Sequence, residues 1–173
     1  MKSCEWKLGL SSSFSNELNK NTFTQYAENG IKQMEISMPS EDYKTLEWKR
    51  IKKFASDTGV ELWSFHLPFA PFDEYNIASF DKTLCKKTIS VDNEYIKRAS
   101  ELGIKIAVIH PSGEPNQEKD RDELLKIAAD SLAEIAEKAH DSGVTVAVED
   151  LPRTCLGNCS SDILRLISDN DKL

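Results

Sequence analysis

The sequence predicts an α/β fold in which short strands and amphipathic helices alternate along the chain. Four segments share one pattern, which is an acidic residue, any residue, a glycine, a β-branched residue and then a strand-like run. These segments begin at Glu28, Asp57, Glu101 and Asp141. Glycine ends helices well because it adopts the left-handed backbone conformation without steric cost, and β-branched residues favour an extended backbone. Each segment therefore predicts the end of one helix followed by a strand.

Five strands and five helices account for most of the chain. A first strand is predicted over residues 6–10, and the four glycine segments start the others near residues 31, 60, 104 and 144. The predicted helices cover residues 15–29, 41–58, 81–102, 120–142 and 161–169. Ser40 and Ser160 are the predicted N-caps of the second and fifth helices. The fourth helix has the clearest apolar stripe, formed by Leu124, Leu125, Ala128, Leu132, Ile135, Ala136 and Ala139.

Alternating strands and helices predict a parallel sheet joined by right-handed crossovers. Two architectures fit this order, an open doubly wound sheet and part of a (β/α)8 TIM barrel. Neither of the glycine-rich phosphate-binding motifs follows the first strand. The strand starts lie about 34 residues apart on average, so eight units would need about 270 residues, near the usual barrel length of about 250. We expect residues 1–173 to form a single incomplete barrel domain with five of eight βα units.

Composition and charge exclude several classes of protein. Lys and Arg total 22 against 29 Asp and Glu, which gives a formal net charge of −7. This acidic balance disfavours a nucleic-acid binder, which usually presents a basic face. No apolar run approaches the roughly 18 residues that span a bilayer, and the first residues lack the apolar stretch of a signal peptide. We therefore expect a cytoplasmic protein with neither a nucleic-acid nor a membrane partner.

Candidate functional residues lie at the predicted carboxyl ends of the strands, where α/β folds bind their ligands. His66 and His110 occupy equivalent positions, each seven residues after its glycine. Glu149 ends an apolar run, and an unpaired carboxylate there would be costly to bury, which favours a metal or catalytic role. Imidazoles and carboxylates both bind metals and transfer protons. Glu35 lies inside the second strand and either faces this site or lies on a solvated edge.

The register of the fifth strand decides whether these side chains meet. Glu149 is six residues after Gly143, whereas the two histidines are each seven residues after their glycines. Because side chains alternate between the faces of a strand, the three groups converge only if the fifth strand has a shifted register or contains a bulge.

Three motifs at these strand ends give the chain a family resemblance. They are Phe65–Phe69, Val108–Glu114 and Val148–Asn158. With these motifs the chain resembles the xylose isomerase-like TIM-barrel superfamily, in particular its sugar phosphate isomerase and epimerase members. Many relatives have asparagine after the glutamate of the fifth strand, where this chain has Asp150.

The resemblance implies a divalent metal, Mn, Mg, Co or Zn, at the mouth of the complete barrel. It implies that Glu149 is a metal ligand and one of two catalytic carboxylates. His66 and His110 would line the pocket and contact sugar hydroxyls or the metal. From their positions in the sequence rather than from the resemblance, Glu35 is a candidate substrate contact and Arg153, near strand five, is a candidate contact for a sugar phosphate. The remaining ligands of the family, an aspartate, a histidine and a second glutamate, lie on strands six to eight. We therefore expect that this chain alone does not hold the metal stably.

The function implied is that of the N-terminal part of a metal-dependent sugar or sugar phosphate isomerase or epimerase, which moves a proton next to a sugar carbonyl. By itself this part is expected to be inactive. One alternative is a non-catalytic truncated barrel that acts by self-association, which would cover its open sheet edges. A second is a phosphodiesterase similar to endonuclease IV, whose barrel has histidines on the corresponding strands.

Overall fold

A computed structural model describes residues 7–15, 17–168 and 170–173 of the chain. It contains one five-stranded sheet in which the strands stand in the order β1-β2-β3-β4-β5 and every neighbouring pair is parallel. The strands are β1 Gly9–Ser11, β2 Gln33–Ile36, β3 Glu61–His66, β4 Ile106–Ile109 and β5 Thr145–Val148. A doubly wound sheet reverses its strand order at a switch point, whereas a barrel adds strands in sequence. The fold is therefore a partial (β/α)8 barrel.

Each strand is followed by a helix. The helices are α1 Lys20–Glu28, α2 Trp48–Thr58, α3 Lys82–Leu102, α4 Arg121–Asp141 and α5 Ser160–Ile167. Short 3-10 helices cover Ser12–Phe14, Asp42–Thr45 and Glu118–Asp120. The four glycines of the repeat all adopt the predicted left-handed conformation, with φ between 69° and 88°. Among the described residues, no helix combines the length and apolar character needed to cross a membrane.

The element ends differ from the prediction in several places. The helix predicted over 41–58 is interrupted, because Leu46 is extended, with φ −62° and ψ 128°, between the 3-10 helix and α2. Neither predicted serine cap is present, since Glu47 precedes α2 and Ser160 is already the first helical residue of α5. Helix α1 starts at Lys20, where the Asn19 side chain accepts hydrogen bonds from two backbone N–H groups. The first strand begins at Gly9, and Trp6 of the predicted strand lies outside the described residues.

The core lies between the sheet and the helices. All seven residues of the predicted α4 stripe are buried, each with at most 6% of its surface exposed. Strand residues on the helix-covered face of the sheet are buried as well, namely Met34, Ile36, Phe65, Ala107, Ile109 and Val146. Burying this apolar surface provides the main stabilisation of the fold. The opposite face of the sheet carries the polar residues that form the candidate site.

Candidate metal site

The carboxyl ends of β3, β4 and β5 bring His66, His110 and Glu149 together. His66 is the last residue of β3, and the other two directly follow β4 and β5. Ile109 pairs with Val148, so His110 and Glu149 leave the sheet side by side. Ile106, the third residue after its glycine, pairs with Thr145, the second residue after its own. The three side chains therefore meet because the register of β5 is shifted by one residue, and not because β5 contains a bulge.

The three side chains form a compact cluster. Nε2 of His66 and Nε2 of His110 each lie 3.0 Å from Oε2 of Glu149. One nitrogen or oxygen atom from each residue lies within 4.8 Å of the others. The histidine side chains are 9% and 15% exposed, whereas that of Glu149 is 38% exposed. Solvent therefore reaches the cluster from the side of the glutamate.

Hydrogen bonds determine the protonation of this cluster. Nδ1 of His66 lies 2.8 Å from the carbonyl oxygen of Leu67, so it carries a proton and donates it. Burial lowers the pKa of His66, but its bonds to Glu149 and the Leu67 carbonyl outweigh burial, and the net pKa is raised. Contacts with His110, and then with His66, lower the pKa of Glu149 to about 2. The glutamate is therefore ionised and faces a histidine that readily accepts a second proton.

Phe69 holds the two imidazoles from one side. Its ring stacks on His110, with ring centroids 4.1 Å apart, and meets His66 edge-on at 5.1 Å. It lies three residues after the end of β3, in the loop that follows the strand. Sequence reasoning included Phe69 in a motif without giving it a role. Its aromatic character directly after a histidine-bearing strand end is the signal that could have revealed one.

Glu35 lies beside the cluster rather than in it. Ser64 of β3 donates a hydrogen bond of 3.0 Å to its carboxylate, and the charge of Glu35 helps to raise the pKa of His66. A β-bulge brings the two side chains together. Met34 pairs with Leu62, whereas the next residue, Glu35, pairs with Ser64, so one residue of β3 is skipped. Of the two orientations left open by the sequence, Glu35 thus faces the site. Its contact with a substrate remains a prediction.

Arg153 is paired with another residue of the chain. It follows β5 in a left-handed backbone conformation, with φ 61°, and its guanidinium forms a two-point ion pair with Glu114 of the loop after β4. Arg153 lowers the pKa of the Glu114 carboxyl. A substrate phosphate would therefore have to compete with Glu114 for this arginine. The predicted role of Arg153 in substrate binding is otherwise untested.

The donor set fits a divalent metal. Two imidazole nitrogens and one carboxylate oxygen suit Zn²⁺ or a similar transition metal, whereas Mg²⁺ prefers oxygen ligands alone. Three protein ligands also leave positions open for water or substrate, as in catalytic metal sites. The family resemblance implied that Glu149 is a metal ligand and that the histidines contact either the metal or sugar hydroxyls. The structure places all three within reach of one ion.

A parallel sheet with strands in chain order and a His-His-Glu cluster at its carboxyl end defines a TIM-barrel protein with a candidate metal site. The family model described as xylose isomerase-like TIM barrel matches residues 23–172. The chain therefore belongs to the xylose isomerase-like TIM barrel family.

Relatives and solved structures resemble the chain over most of its length. The chain is 31% identical to an uncharacterized protein of Methanocaldococcus jannaschii over 105 residues, 59% of this chain and 36% of that protein. The solved structure of a D-tagatose 3-epimerase-like protein superposes on this chain with a TM-score of 0.83 and 26% sequence identity. The superposition covers 96% of this chain and 61% of that protein's chain. D-psicose 3-epimerase from Clostridium cellulolyticum H10 has the same fold, with a TM-score of 0.78, 19% identity and coverages of 96% and 60%. The chain thus spans about 60% of the length of these two solved structures.

Proposed function

We propose that this chain forms the first five βα units of a divalent-metal-dependent sugar or sugar phosphate isomerase or epimerase. Such an enzyme moves a proton on the carbon next to a sugar carbonyl. The observation that carries the proposal is the Glu149 carboxylate held 3.0 Å from both His66 and His110. The cluster stands at the carboxyl ends of the strands, where barrels of this type bind their ligands.

The residues of the cluster are suited to distinct tasks. A bound metal would supply a Lewis acid that polarises the sugar oxygens. Glu149 is ionised because its pKa is about 2, which suits a ligand better than a base, since a base works best with a pKa near the working pH. His66 and His110 would hold the same ion through their Nε2 lone pairs, and the charge of the bound cation would keep Glu149 ionised.

Substrate recognition draws on the polar groups around the cluster. Glu35 and Ser64 present a carboxylate and a hydroxyl on the same face as His66, and these groups suit sugar hydroxyls. Phe69 adds an apolar surface against which the C–H groups of a sugar ring pack. If the sugar carries a phosphate, Arg153 is the candidate cation, released from Glu114 when the anion binds.

Solvent exchange tests this function. The chain is incubated with a panel of ketoses in D₂O with Mn²⁺, Mg²⁺, Co²⁺ or Zn²⁺, and NMR follows the proton next to the carbonyl. We expect no exchange by the chain alone, because a single catalytic carboxylate and an incomplete barrel do not enclose a sugar. Joined to the uncovered C-terminal part of the D-tagatose 3-epimerase-like protein, the chain is expected to promote exchange, which Glu149→Gln abolishes.

His140→Ala is the matched control for this experiment, because His140 is exposed at the end of α4. A folded, metal-loaded hybrid that exchanges no ketose proton would contradict the proposed function. Rapid Glu149-dependent exchange by the chain alone would support the function and contradict its inactivity in isolation.

The two histidines of the cluster also favour testing the phosphodiesterase alternative. Two imidazoles at the ends of β3 and β4 suit zinc-dependent hydrolysis. The net charge of −7 opposes binding to a phosphate backbone. We expect no cleavage of duplex DNA with an abasic site in the presence of Zn²⁺. Cleavage that requires Glu149 would favour this alternative over the sugar enzyme.

Self-association is expected from the open sheet. Within the described residues, β1 and β5 each pair with one strand only, and unpaired strand edges invite pairing with other chains. Leu10 and Trp63 are 37% and 48% exposed and line the same groove beside β1. Light scattering over a concentration series is expected to show oligomers that weaken when either residue is replaced by lysine.

Phe80→Lys is the control for this prediction, because Phe80 is 53% exposed but precedes α3, away from the groove. A monodisperse monomer at every concentration would rule out self-association as the role of the chain.

A further inference from the structure

Asp92 is a buried carboxyl group that the site described above does not use. It lies on α3 and only 1% of its surface is exposed. Its Oδ1 atom has no hydrogen-bond partner among the described residues. Because burial raises the pKa of Asp92 well above its usual value, the neutral carboxylic acid is the favoured form. A neutral carboxyl can both donate and accept hydrogen bonds.

A small cavity connects Asp92 to the candidate site. The cavity lies between α3 and the ends of β3 and β4, and its polar lining consists of Tyr75, Asn76, Thr88, Asp92, His110 and Ser112. The space open to the centre of a water molecule is about 10 Å³. A polar cavity of this size holds one water molecule, provided that its walls offer at least two hydrogen-bonding groups.

Most of the lining groups already have their partners. The Thr88 hydroxyl donates to Leu84 and accepts from the Asn76 backbone. Oδ1 of Asn76 accepts from two backbone N–H groups. The Ser112 hydroxyl accepts from Asn116 and Leu156, which leaves only its own proton to donate. Spare hydrogen-bonding capacity remains on Ser112, Asp92 and His110, and also on the Tyr75 hydroxyl and the Asn76 amide nitrogen, which form no hydrogen bond with the described residues.

His110 is held by two of its neighbours but keeps one nitrogen free. Its Nε2 lies 3.0 Å from Glu149 and its ring stacks on Phe69. Nδ1 forms no hydrogen bond with the described residues. Histidines that bind metals usually engage this second nitrogen with a carboxylate, a carbonyl or a water, which selects the tautomer and the ring orientation.

We propose that Asp92 is a positioning residue for His110, and that its carboxyl group holds Nδ1 of that ring through one water molecule in the cavity. In the metal-free protein Nε2–H faces Glu149, so Nδ1 accepts a hydrogen bond from the water, which in turn accepts one from Asp92. If Nε2 were a metal ligand, Nδ1–H would donate a hydrogen bond to the water, which would donate one to Asp92. A neutral carboxyl serves both arrangements, because it acts as donor in the first and as acceptor in the second.

The chain offers a well-resolved test, because it contains only three histidines. In the metal-free protein, ¹⁵N NMR reports the tautomer of each ring. Asp92→Leu is expected to change the ring ¹⁵N shifts of His110 and to leave those of His140 unchanged. Asp92→Asn, whose amide also donates and accepts, is expected to restore them. Asn93→Leu is the matched control, since Asn93 also has an unpartnered buried oxygen on α3 but does not line the cavity.

Unchanged His110 shifts in a folded Asp92→Leu variant would overturn the inference. If that variant does not fold, NMR of the wild-type protein tests the proposed water instead. A water held in the cavity should show cross-relaxation with the methyl groups of Ile77, a residue that lines the cavity. Absence of that signal would equally overturn it.

A second readout rests on the proposed metal site. Asp92→Leu is expected to weaken Zn²⁺ binding by about 10- to 100-fold, the usual cost of losing a partner of a ligating histidine, and Asp92→Asn by less. If the NMR effect is present but no variant binds Zn²⁺, the metal site fails while the positioning of His110 stands. If Zn²⁺ binds equally to all variants and the NMR effect is absent, the positioning role fails while the metal site stands.

Discussion

Zinc binding by this chain is expected to require all three side chains of the cluster. In a calorimetric titration, the wild type should take up one Zn²⁺ per chain. His66→Ala, His110→Ala and Glu149→Gln should each weaken that binding by more than the roughly 10- to 100-fold cost of losing an outer partner. The reason is that each variant removes one of three donors that lie within 4.8 Å of one another.

Three donors also limit how firmly the ion is held. Structural zinc sites use four protein ligands, and three leave the ion open to solvent. We therefore expect dialysis against metal-free buffer to remove the zinc, in keeping with incomplete binding by this part of the barrel. His140→Ala should bind like the wild type. Equal affinity of the His110→Ala variant would exclude the cluster as the binding site.

Asp92→Asn is expected to make the protein more stable at alkaline pH. Burial raises the pKa of Asp92 in the folded chain above its unfolded value of 3.8. Between these two values the folded state keeps a proton that the unfolded state releases, so rising pH favours unfolding. The wild type should therefore lose stability relative to the variant by up to about 1.4 kcal/mol for each pH unit in this window.

Urea unfolding at pH 5 and pH 8 measures this difference directly. Comparing the two proteins at each pH cancels the titrations that they share, including those of His66 and Glu149. Asp73→Asn is the control, because it makes the same substitution at an exposed position. A difference between Asp92→Asn and the wild type that does not grow with pH would contradict the burial of an ionisable carboxyl.

The stability that the buried Asp92 carboxyl costs the folded protein is consistent with a role in positioning His110. Asp92 interrupts the apolar side of α3 between Ile89 and Ile96, both of which are buried. An apolar residue there would avoid an unsatisfied buried oxygen. The helical spacing of three and four residues from these isoleucines was the signal in the sequence. It escaped notice because an acid on an exposed helix face has the same local pattern, and only the packing of α3 shows which face is covered.

Strand ends were the most informative feature for the site. The glycine repeat located the ends of β3, β4 and β5 closely enough to single out His66, His110 and Glu149. It could not show whether they meet, because a shift of one residue reverses the face of every side chain in a strand. The register depends on hydrogen bonds between strands about 40 residues apart in sequence. The contact of Phe69 with both imidazoles likewise depends on how a loop folds back over the sheet.

The sequence by itself determined the local elements: the left-handed glycines, the apolar stripe of α4, the alternation of strands and helices, and the identity of the three clustered side chains. These features follow from backbone sterics and side-chain periodicity, which act over a few neighbouring residues. Only the tertiary structure decided the sequential strand order, the register of β5, the orientation of Glu35 and the pairing of Arg153 with Glu114. Each of these depends on groups far apart in the chain, whose contacts form only when the helices pack on the sheet.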